Sequence, residues 1–248
     1  MTKTMFRDTK TRALPIEEVA PTWPVSLDIP GYLEEIYWWA YVHPRAVRFF
    51  DRHFLVNLIL FGNYRRLRDR ALAALGEQLP GRTLQVACVY GDFTNSVATR
   101  IASGGSLDVV DVLPIQLDNL RRKLATQAPV ALYQRDSSAL GFEDGRYDQA
   151  LVFFLLHEQP ATVRRETLSE ILRVVKPGGR VVVVDYHRPS LLHPLHGFMR
   201  LLLAKLEPYA LDLWRHDIAE WLPATVKPEQ VLKRTFFGGL YQQLVIRR

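Results

Sequence analysis

The loop after one short apolar run carries the first candidate binding residues. The run Leu84–Val89 predicts a buried strand, and Tyr90, Gly91 and Thr94 follow it before the next helical stretch. Glycine lets the backbone approach a ligand closely at a helix start, where free N–H groups attract polar and anionic groups. A lone glycine marks a plain turn more often than a site, so this loop needs support from elsewhere in the chain.

Two aspartates at the carboxyl ends of the next two predicted strands give that support. The strand Leu107–Val112 contains Asp111 near its end, ~20 residues past the loop, where a carboxylate can accept hydrogen bonds from both hydroxyls of a ribose. Asp136 and Ser137 follow the strand Val130–Tyr133, where they can meet an adenine amino group. Helix N-capping is an alternative role for Asp111. The order and spacing of the three loops together favour nucleoside binding.

Strands and helices alternate after residue 81, which predicts an α/β fold with a mostly parallel, doubly wound sheet. In such a sheet a ligand lies at the carboxyl ends of the strands, where the winding reverses. Two further strands are predicted at Gln149–Phe154 and Arg180–Asp185, and helices at 95–102, 115–124 and 162–174. The glycines of Lys176-Pro177-Gly178-Gly179 suit a helix C-cap. The tail around Gly238-Gly239 predicts a closing antiparallel hairpin.

Composition and length limit the domain organisation. The 248 residues predict an N-terminal arm and helical segment at 1–75, facing substrate or membrane, and a nucleoside-binding domain at 76–248 with an inserted apolar helix at about 191–206. Prolines make residues 1–30 an irregular arm, and a helical pattern begins at Leu33. The single cysteine, Cys88, excludes a disulfide framework. No apolar run reaches the ~18 residues of a membrane span, and the N-terminus lacks an apolar signal core.

Residues from about 49 to 246 resemble the ubiquinone and menaquinone C-methyltransferases of the class I, Rossmann-like methyltransferase fold. Where those enzymes read Ala-Gly-Gly-Thr-Gly-Asp-Leu-Thr, this chain reads Ala87-Cys88-Val89-Tyr90-Gly91-Asp92-Phe93-Thr94. The resemblance implies S-adenosylmethionine as co-substrate, with its ribose on Asp111, its adenine on Asp136 and its methionine portion at the loop around Gly91. The implied cofactor-binding residues are Gln85, Ala87, Val89, Gly91, Thr94, Asp111, Val112, Asp136 and Ser137.

Three residues depart from that family pattern at the methionine end. Gln85 replaces an acidic residue that helps to hold the methionine ammonium, Val89 replaces a glycine, and Tyr90 replaces a small hydroxyl residue. A β-branched residue is poorly suited to positive φ and adds bulk toward the ligand. We therefore expect the amino-acid end of the co-substrate to lie in an altered pose. A decayed motif that binds no nucleoside is the alternative, and Asp111 and Asp136 argue against it.

The altered loop is similar to that of the rhodoquinone biosynthesis proteins, a divergent branch of the quinone methyltransferases. The similarity extends to the aromatic-rich N-terminal segment and to the chain length. It implies that a methoxy group of ubiquinone is replaced by an amino group taken from S-adenosylmethionine, with manganese required. Loss of an anion at Gln85 favours the neutral, nucleophilic amine. A divalent cation would act as a Lewis acid on the quinone.

Candidate catalytic residues in this interpretation are Tyr90, Asp92 and His157. Carboxylates and histidine suit manganese, although no fixed ligand spacing is visible. An ordinary loop or capping role is the alternative for each histidine. The candidate metal ligands are Asp92, Asp136, Asp185 and His187.

The apolar run 191–206, with cationic residues spaced through it, predicts either a helix at the membrane interface or a lid over the pocket. The arginine- and aromatic-rich segment 37–70 can join such a surface or suggest RNA binding, but it contains no recognisable RNA-binding module, so no nucleic-acid partner is expected. With ubiquinone as substrate, we expect a cytoplasmic protein peripheral to the inner face of the cell membrane. A quinone C-methyltransferase and a non-catalytic membrane-associated scaffold remain the alternatives. The oligomeric state is left open.

Overall fold

A sheet of seven strands runs through the part of the chain that the computed structural model describes, residues 29–37, 51–227 and 230–248. The strand order is β3-β2-β1-β4-β5-β7-β6. The strands are β1 Arg82–Val86, β2 Ser106–Asp111, β3 Val130–Gln134, β4 Tyr147–Phe153, β5 Val175–Tyr186, β6 Val231–Phe236 and β7 Tyr241–Arg247. Strands β1 to β5 are parallel, and β7 pairs antiparallel with both β5 and β6. The predicted fold class and the closing hairpin are confirmed.

Helices cover the sheet and connect its strands. They are α1 Gly31–Tyr37, α2 His53–Ile59, α3 Tyr64–Leu75, α4 Phe93–Ala98, α5 Pro114–Arg121, α6 Ala161–Val174, α7 His196–Leu206 and α8 Asp212–Arg215, with 3-10 turns at Leu156–Glu158, Pro208–Leu211 and Ile218–Trp221. Helices α4 and α5 end at Ala98 and Arg121, earlier than the predicted ends at residues 102 and 124. Within the described ranges, no helix is both long and apolar enough to cross a membrane.

The core forms because the central strands are apolar on both faces. Leu84 and Val86 in β1, Leu151 in β4, and Val182 and Val183 in β5 are completely buried. When helices cover both faces of a sheet, its strands consist of continuous runs of apolar residues instead of alternating apolar and polar residues. The strand order reverses between β1 and β4, so the crevice for a ligand lies at the carboxyl ends of these two strands.

The Lys-Pro-Gly-Gly segment differs from its prediction as a helix C-cap. Helix α6 ends at Val174 and β5 begins at the next residue, because Val175 is already extended, with φ −86° and ψ 139°. Gly178 is left-handed, with φ +78°. A Cβ on Gly179 would lie 2.8 Å from the carbonyl oxygen of Asp148. These glycines therefore permit an irregular start of β5 against β4.

The N-terminal region is described in two pieces. Helix α1 packs through Leu33 onto Leu113 and Val112, just after β2, so it lies at the predicted nucleoside end of the molecule. Helix α3 joins the sheet, because the Arg180 guanidinium donates to the carbonyls of Ala74 and Leu75. The predicted irregular arm, apart from its last residues, and the part of the predicted helical segment at 38–50 lie outside the described residues.

The close approach at Gly179 gives a stability prediction. Gly179→Ala should lower the free energy of unfolding by about 1–3 kcal/mol, because the added methyl group must displace backbone. Gly197→Ala is the matched control, since a Cβ there meets nothing within 4 Å inside α7. Urea titration of both variants measures the difference. Equal stabilities would contradict the assigned packing.

Candidate functional site

A cavity of about 960 Å³ opens at the carboxyl ends of the central strands, where the topology predicts a ligand. One end is polar and is lined by residues that follow β1, β2 and β3. The other end is apolar and is lined by α2 and α7. The predicted site residues that line the cavity are Ala87, Val89, Tyr90, Asp111, Val112, Asp136, Ser137 and His157.

Asp111 anchors the polar end. Its Oδ2 accepts the Cys88 N–H at 2.8 Å and its Oδ1 accepts the Leu113 N–H at 2.9 Å. Burial raises the pKa of Asp111 to about 6, although these hydrogen bonds favour the carboxylate. A carboxylate held this way keeps lone pairs for two further donors, which fits a ribose diol.

Gln159 supplies an acceptor that the sequence analysis missed. Its Nε2 donates to the Ser137 hydroxyl at 2.9 Å and to Thr167 Oγ1 at 3.1 Å. Its Oε1 is buried and accepts no hydrogen bond within 3.5 Å from the described residues, the Tyr32 side chain lies beside the amide, and both side chains line the cavity. A buried amide oxygen costs free energy until a donor reaches it, and an adenine amino group supplies one. Asp136, predicted to meet the adenine, has one carboxylate oxygen engaged by the Ser138 N–H and hydroxyl, so Gln159 Oε1 is a second candidate acceptor at this end of the cavity. Only side-chain contacts reveal the role of Gln159.

The loop after β1 adopts an unexpected conformation. Ala87 and Gly91 have positive φ, of 72° and 81°, whereas Val89 does not. The steric conflict expected at Val89 is therefore avoided, because the left-handed residue is Ala87. Val89 and Tyr90 nevertheless line the cavity, and the Tyr90 hydroxyl accepts a hydrogen bond from Gln116 Nε2 at 2.9 Å.

Gln85 stabilises this loop from behind. Its Nε2 donates to the Ala87 carbonyl and to Thr94 Oγ1, both at 3.0 Å, and its side chain is fully buried outside the cavity wall. A carboxylate has no proton to donate to the Ala87 carbonyl, so the amide suits this loop conformation. Gln85 and Thr94, predicted to contact the co-substrate, thus position the loop.

Asp92, a predicted catalytic residue and metal ligand, points away from the cavity. Its Oδ1 accepts from the Tyr64 hydroxyl at 2.9 Å, and its Oδ2 forms an ion pair with Arg68 Nη1 at 2.7 Å. The neighbouring Gly91 N–H donates to Asp51, which is also paired with Lys123 at 2.6 Å. The loop is thus tied to α3 and to the residues just before α2.

His157 lies in the cavity wall with a buried carboxylate behind it. Its Nδ1 is 2.9 Å from Asp185 Oδ1, and its ring packs edge-on against Phe154 and Tyr186. Burial alone would lower the pKa of His157, but Asp185, followed by Glu207 and Glu158, raises it to about 9. The side chain is therefore an imidazolium at neutral pH. It can donate to an oxygen of a bound ligand, and it is poorly suited to accept a proton.

The four predicted metal ligands are not brought together. Asp92 is paired with Tyr64 and Arg68, Asp185 is enclosed behind His157, and His187 Nδ1 contacts the Gly239 carbonyl oxygen at 2.7 Å. Asp136 alone of the four lines the cavity. In the described parts of the chain, no three His, Cys, Asp or Glu side chains are arranged to hold a metal ion.

The apolar end of the cavity was not assigned to particular residues from the sequence. Phe54 and Leu58 of α2 line it on one side, and Phe198 and Leu206 of α7 on the other. Phe61, at the end of α2, contacts Phe198 with ring centroids 6.4 Å apart. The aromatic clustering between residues 49 and 61 was the available sequence signal. The cavity can therefore bind a polar nucleoside and an apolar molecule side by side.

Comparison with known proteins agrees with this arrangement. The profile of the ubiE/COQ5 methyltransferase family matches residues 49–209. A demethylmenaquinone methyltransferase of Staphylococcus aureus is 31% identical over 142 residues, 57% of this chain and 57% of that relative's length. One from Staphylococcus epidermidis is 26% identical over 80% of this chain and 82% of its own length. A S-adenosylmethionine-dependent methyltransferase of Aquifex aeolicus has the same fold, with TM-score 0.53, 14% identity, and coverage of 83% of this chain and 98% of that one.

The pKa of Asp111 predicts how co-substrate binding depends on pH. Ribose hydroxyls donate to the carboxylate form, so the affinity for S-adenosylhomocysteine should rise as pH rises through about 6. Asp111→Asn should weaken binding at pH 7.5 by about 1.5–3 kcal/mol and remove this pH dependence. Calorimetry over a pH series measures both. Unchanged affinity in a folded variant would contradict the ribose assignment.

The Asp185–His157 pair predicts a change in titration. Asp185→Asn should lower the pKa of His157 from about 9, because the strongest of the anions that oppose the effect of burial is removed while Glu207 and Glu158 remain. His187, whose pKa burial lowers, should not change and serves as the internal reference. NMR of the histidine rings follows both. An ordinary His157 pKa in the unsubstituted protein would refute the assigned pairing.

Proposed function

The chain belongs to the ubiE/COQ5 methyltransferase family, and from this we propose that it is an S-adenosylmethionine-dependent transferase that modifies the ring of a quinone. The presence of one polar end and one apolar end in the same cavity supports the proposal. Asp111 and Gln159 offer acceptors to a nucleoside, and the wall between α2 and α7 offers an apolar surface to a ring and its hydrocarbon tail.

Within this class we propose amino transfer, in which an amino group from S-adenosylmethionine replaces a ring methoxy group of ubiquinone and rhodoquinone forms. The loop after β1 carries this proposal. Val89 and Tyr90 add bulk to the cavity wall, and the Gln85 amide holds the loop where the related enzymes place an anion. Methyl transfer requires a sulfonium methyl group close to the ring carbon and in line with it. A displaced methionine end presents its amine instead.

His157 has a defined role in such a reaction. A ring carbon that bears methoxy is activated toward an amine when the conjugated carbonyl oxygen accepts a hydrogen bond. In this proposal the imidazolium, held at Nδ1 by Asp185, donates through Nε2, which lies 3.7 Å from Glu158 Oε1, beyond hydrogen-bonding distance. The ring C–N bond forms, the ring C–O bond breaks, and the methoxy group takes a proton from the amine and leaves as methanol. The Cα–N bond of the co-substrate then breaks by elimination with loss of a Cβ proton, which releases the aminoquinone and an α,β-unsaturated acid with no change of oxidation state. Donation stabilises the negative charge that develops on the oxygen.

Methyl transfer to a quinone ring is the second candidate, and the comparisons favour it. Both staphylococcal relatives are named demethylmenaquinone methyltransferases. A C-methylation must remove a proton from the substrate, and His157, whose charged form Asp185 favours, is poorly suited to accept one. This candidate therefore needs another base in the cavity.

Manganese does not fit the residues that the structure describes, because the predicted ligands lie apart and no three suitable side chains converge. We therefore assign no step to a metal ion. The proposed site of action is the inner face of the cell membrane, because the tail of ubiquinone confines it to the bilayer. The apolar end of the cavity supports this placement.

Isotope labelling distinguishes the two reactions. We expect S-adenosylmethionine with a heavy nitrogen in its amino group to yield a labelled aminoquinone from ubiquinone, as measured by mass spectrometry. Co-substrate labelled at the methyl carbon should leave the quinone unlabelled. Transfer of the methyl label, or an aminoquinone whose nitrogen has another source, would refute amino transfer.

The loop can be tested separately from overall folding. The double substitution Val89→Gly and Tyr90→Thr should lower the rate of amination at least tenfold. The affinity for S-adenosylhomocysteine should change by no more than about threefold, because Asp111 and the other nucleoside contacts are unchanged. Val97→Ala, buried in α4 behind the loop, is the control for a general loss of stability. Full amination by the loop variant would refute the role of bulk at these positions.

A further inference from the structure

A second pocket, of about 410 Å³, lies on the surface outside the catalytic cavity. It is formed by the segment after β5, by residues around α8 and by β6. Three cations line it, Arg188, Arg215 and Lys233, together with two histidines, and Asp217 is the one carboxylate among its lining residues. The pocket is therefore basic.

The three cations of this basic pocket differ in whether a nearby carboxylate neutralises their charge. Lys233 is paired with Asp217, and Arg215 lies 3.5 Å from Asp212. Arg188 is exposed and forms no ion pair with any residue in the described ranges. A site with uncompensated positive charge attracts an anion, and the guanidinium suits phosphate because it presents several donors in one plane.

Apolar side chains adjoin the basic pocket and face solvent. Leu191 lines the pocket and is 71% exposed, and the next residue, Leu192, is 94% exposed. Helix α7 begins four residues after Leu192 and exposes Phe198 at 55% and Leu201 at 71%. Exposed apolar side chains grouped in this way mark a contact surface rather than an ordinary protein exterior.

Helix α7 places cations beside those apolar residues. Arg200 and Lys205 are exposed on the same helix, which buries Met199 and Leu203 toward the protein. Apolar side chains with flanking cations are the pattern of a helix that lies in a membrane interface. The surface made of the basic pocket and residues 191–206 thus has two chemically different parts, one for phosphate and one for hydrocarbon.

We propose that this surface docks on a membrane of anionic phospholipid, with a lipid phosphate in the basic pocket beside Arg188 and with Leu191, Leu192 and Leu201 inserted among the acyl chains. An anionic phospholipid joins phosphate and hydrocarbon in one molecule, and the surface presents their counterparts side by side. Nucleic acid offers phosphate without hydrocarbon, so it leaves the leucines unexplained.

The proposal rests on the proposed function, because it explains how a quinone reaches the cavity. Phe198, Leu202 and Leu206 of α7 line the apolar end of the cavity, while Leu201 of the same helix faces solvent. A membrane in contact with α7 therefore lies next to the cavity mouth.

Vesicle flotation tests the docking surface. The full chain should float with vesicles of equal parts phosphatidylcholine and phosphatidylglycerol, and binding should weaken with salt. Arg188→Gln should lower the partition coefficient about fivefold, the change expected for one cation near an anionic surface. Leu192→Asn should lower it at least as much, and Arg122→Gln, an exposed arginine after α5, is the matched control.

Several results would overturn the proposal. The proposal is wrong if the chain binds equally well to vesicles of phosphatidylcholine alone, or if Leu192→Asn has no effect. It is also wrong if Arg188→Gln and Arg122→Gln have the same effect, or if single-stranded RNA displaces the vesicles. Conversion of a short-tailed, water-soluble quinone separates the two claims. Activity without vesicle binding refutes the docking surface alone, and vesicle binding without activity on any quinone refutes the proposed function alone.

Discussion

The carboxylate of Asp185, at the end of β5, is fully buried and accepts hydrogen bonds from three backbone N–H groups and one ring. The N–H groups belong to Leu156, His157 and Tyr186, and the ring is that of His157. A buried charge is costly unless donors surround it. Its four donors all come from the end of β5 and from the turn after β4. The ends of the adjacent strands β4 and β5 are therefore joined through Asp185, and the same carboxylate fixes the orientation of the His157 ring.

Arg164 of α6 holds the same turn from the opposite side. It is fully buried, it donates to the carbonyls of Leu156, Gln159 and Tyr209, and its guanidinium lies 4.3 Å from the ring centroid of Trp221. The Asp185 carboxylate thus accepts hydrogen bonds from the N–H groups of this turn, and the Arg164 guanidinium donates to its carbonyl groups. Gln159 and His157 line the cavity from this turn, so the positions of both side chains depend on this pair of buried charged groups.

The features of the fold that depend on local sequence pattern and on the order of the strands and helices were predictable from the sequence. Apolar runs located the strands, and the position of Asp111 at the carboxyl end of β2, beside the cavity, follows from the parallel topology. Long-range contacts were not predictable: whether Asp185 binds a metal or His157 depends on which strands become neighbours. The left-handed residue of the loop was misplaced: Ala87 has φ 72°, and its carbonyl accepts a hydrogen bond from the Gln85 side chain, a contact that the sequence pattern does not reveal. The unpartnered oxygen of Gln159 is invisible without neighbouring side chains.

The contacts of Asp51 link the two halves of the cavity. Asp51 accepts from the Gly91 N–H, and Lys123 donates both to Asp51 and to the Gly91 carbonyl. Helix α2 begins two residues after Asp51 and forms one wall of the apolar end, whereas Gly91 belongs to the loop that borders the polar end. A displacement of α2 that carries Asp51 with it would break a partly buried ion pair and free the loop. Any coupling that this connection creates between ligands at the two ends of the cavity is reciprocal, so each ligand would change the affinity for the other by the same factor.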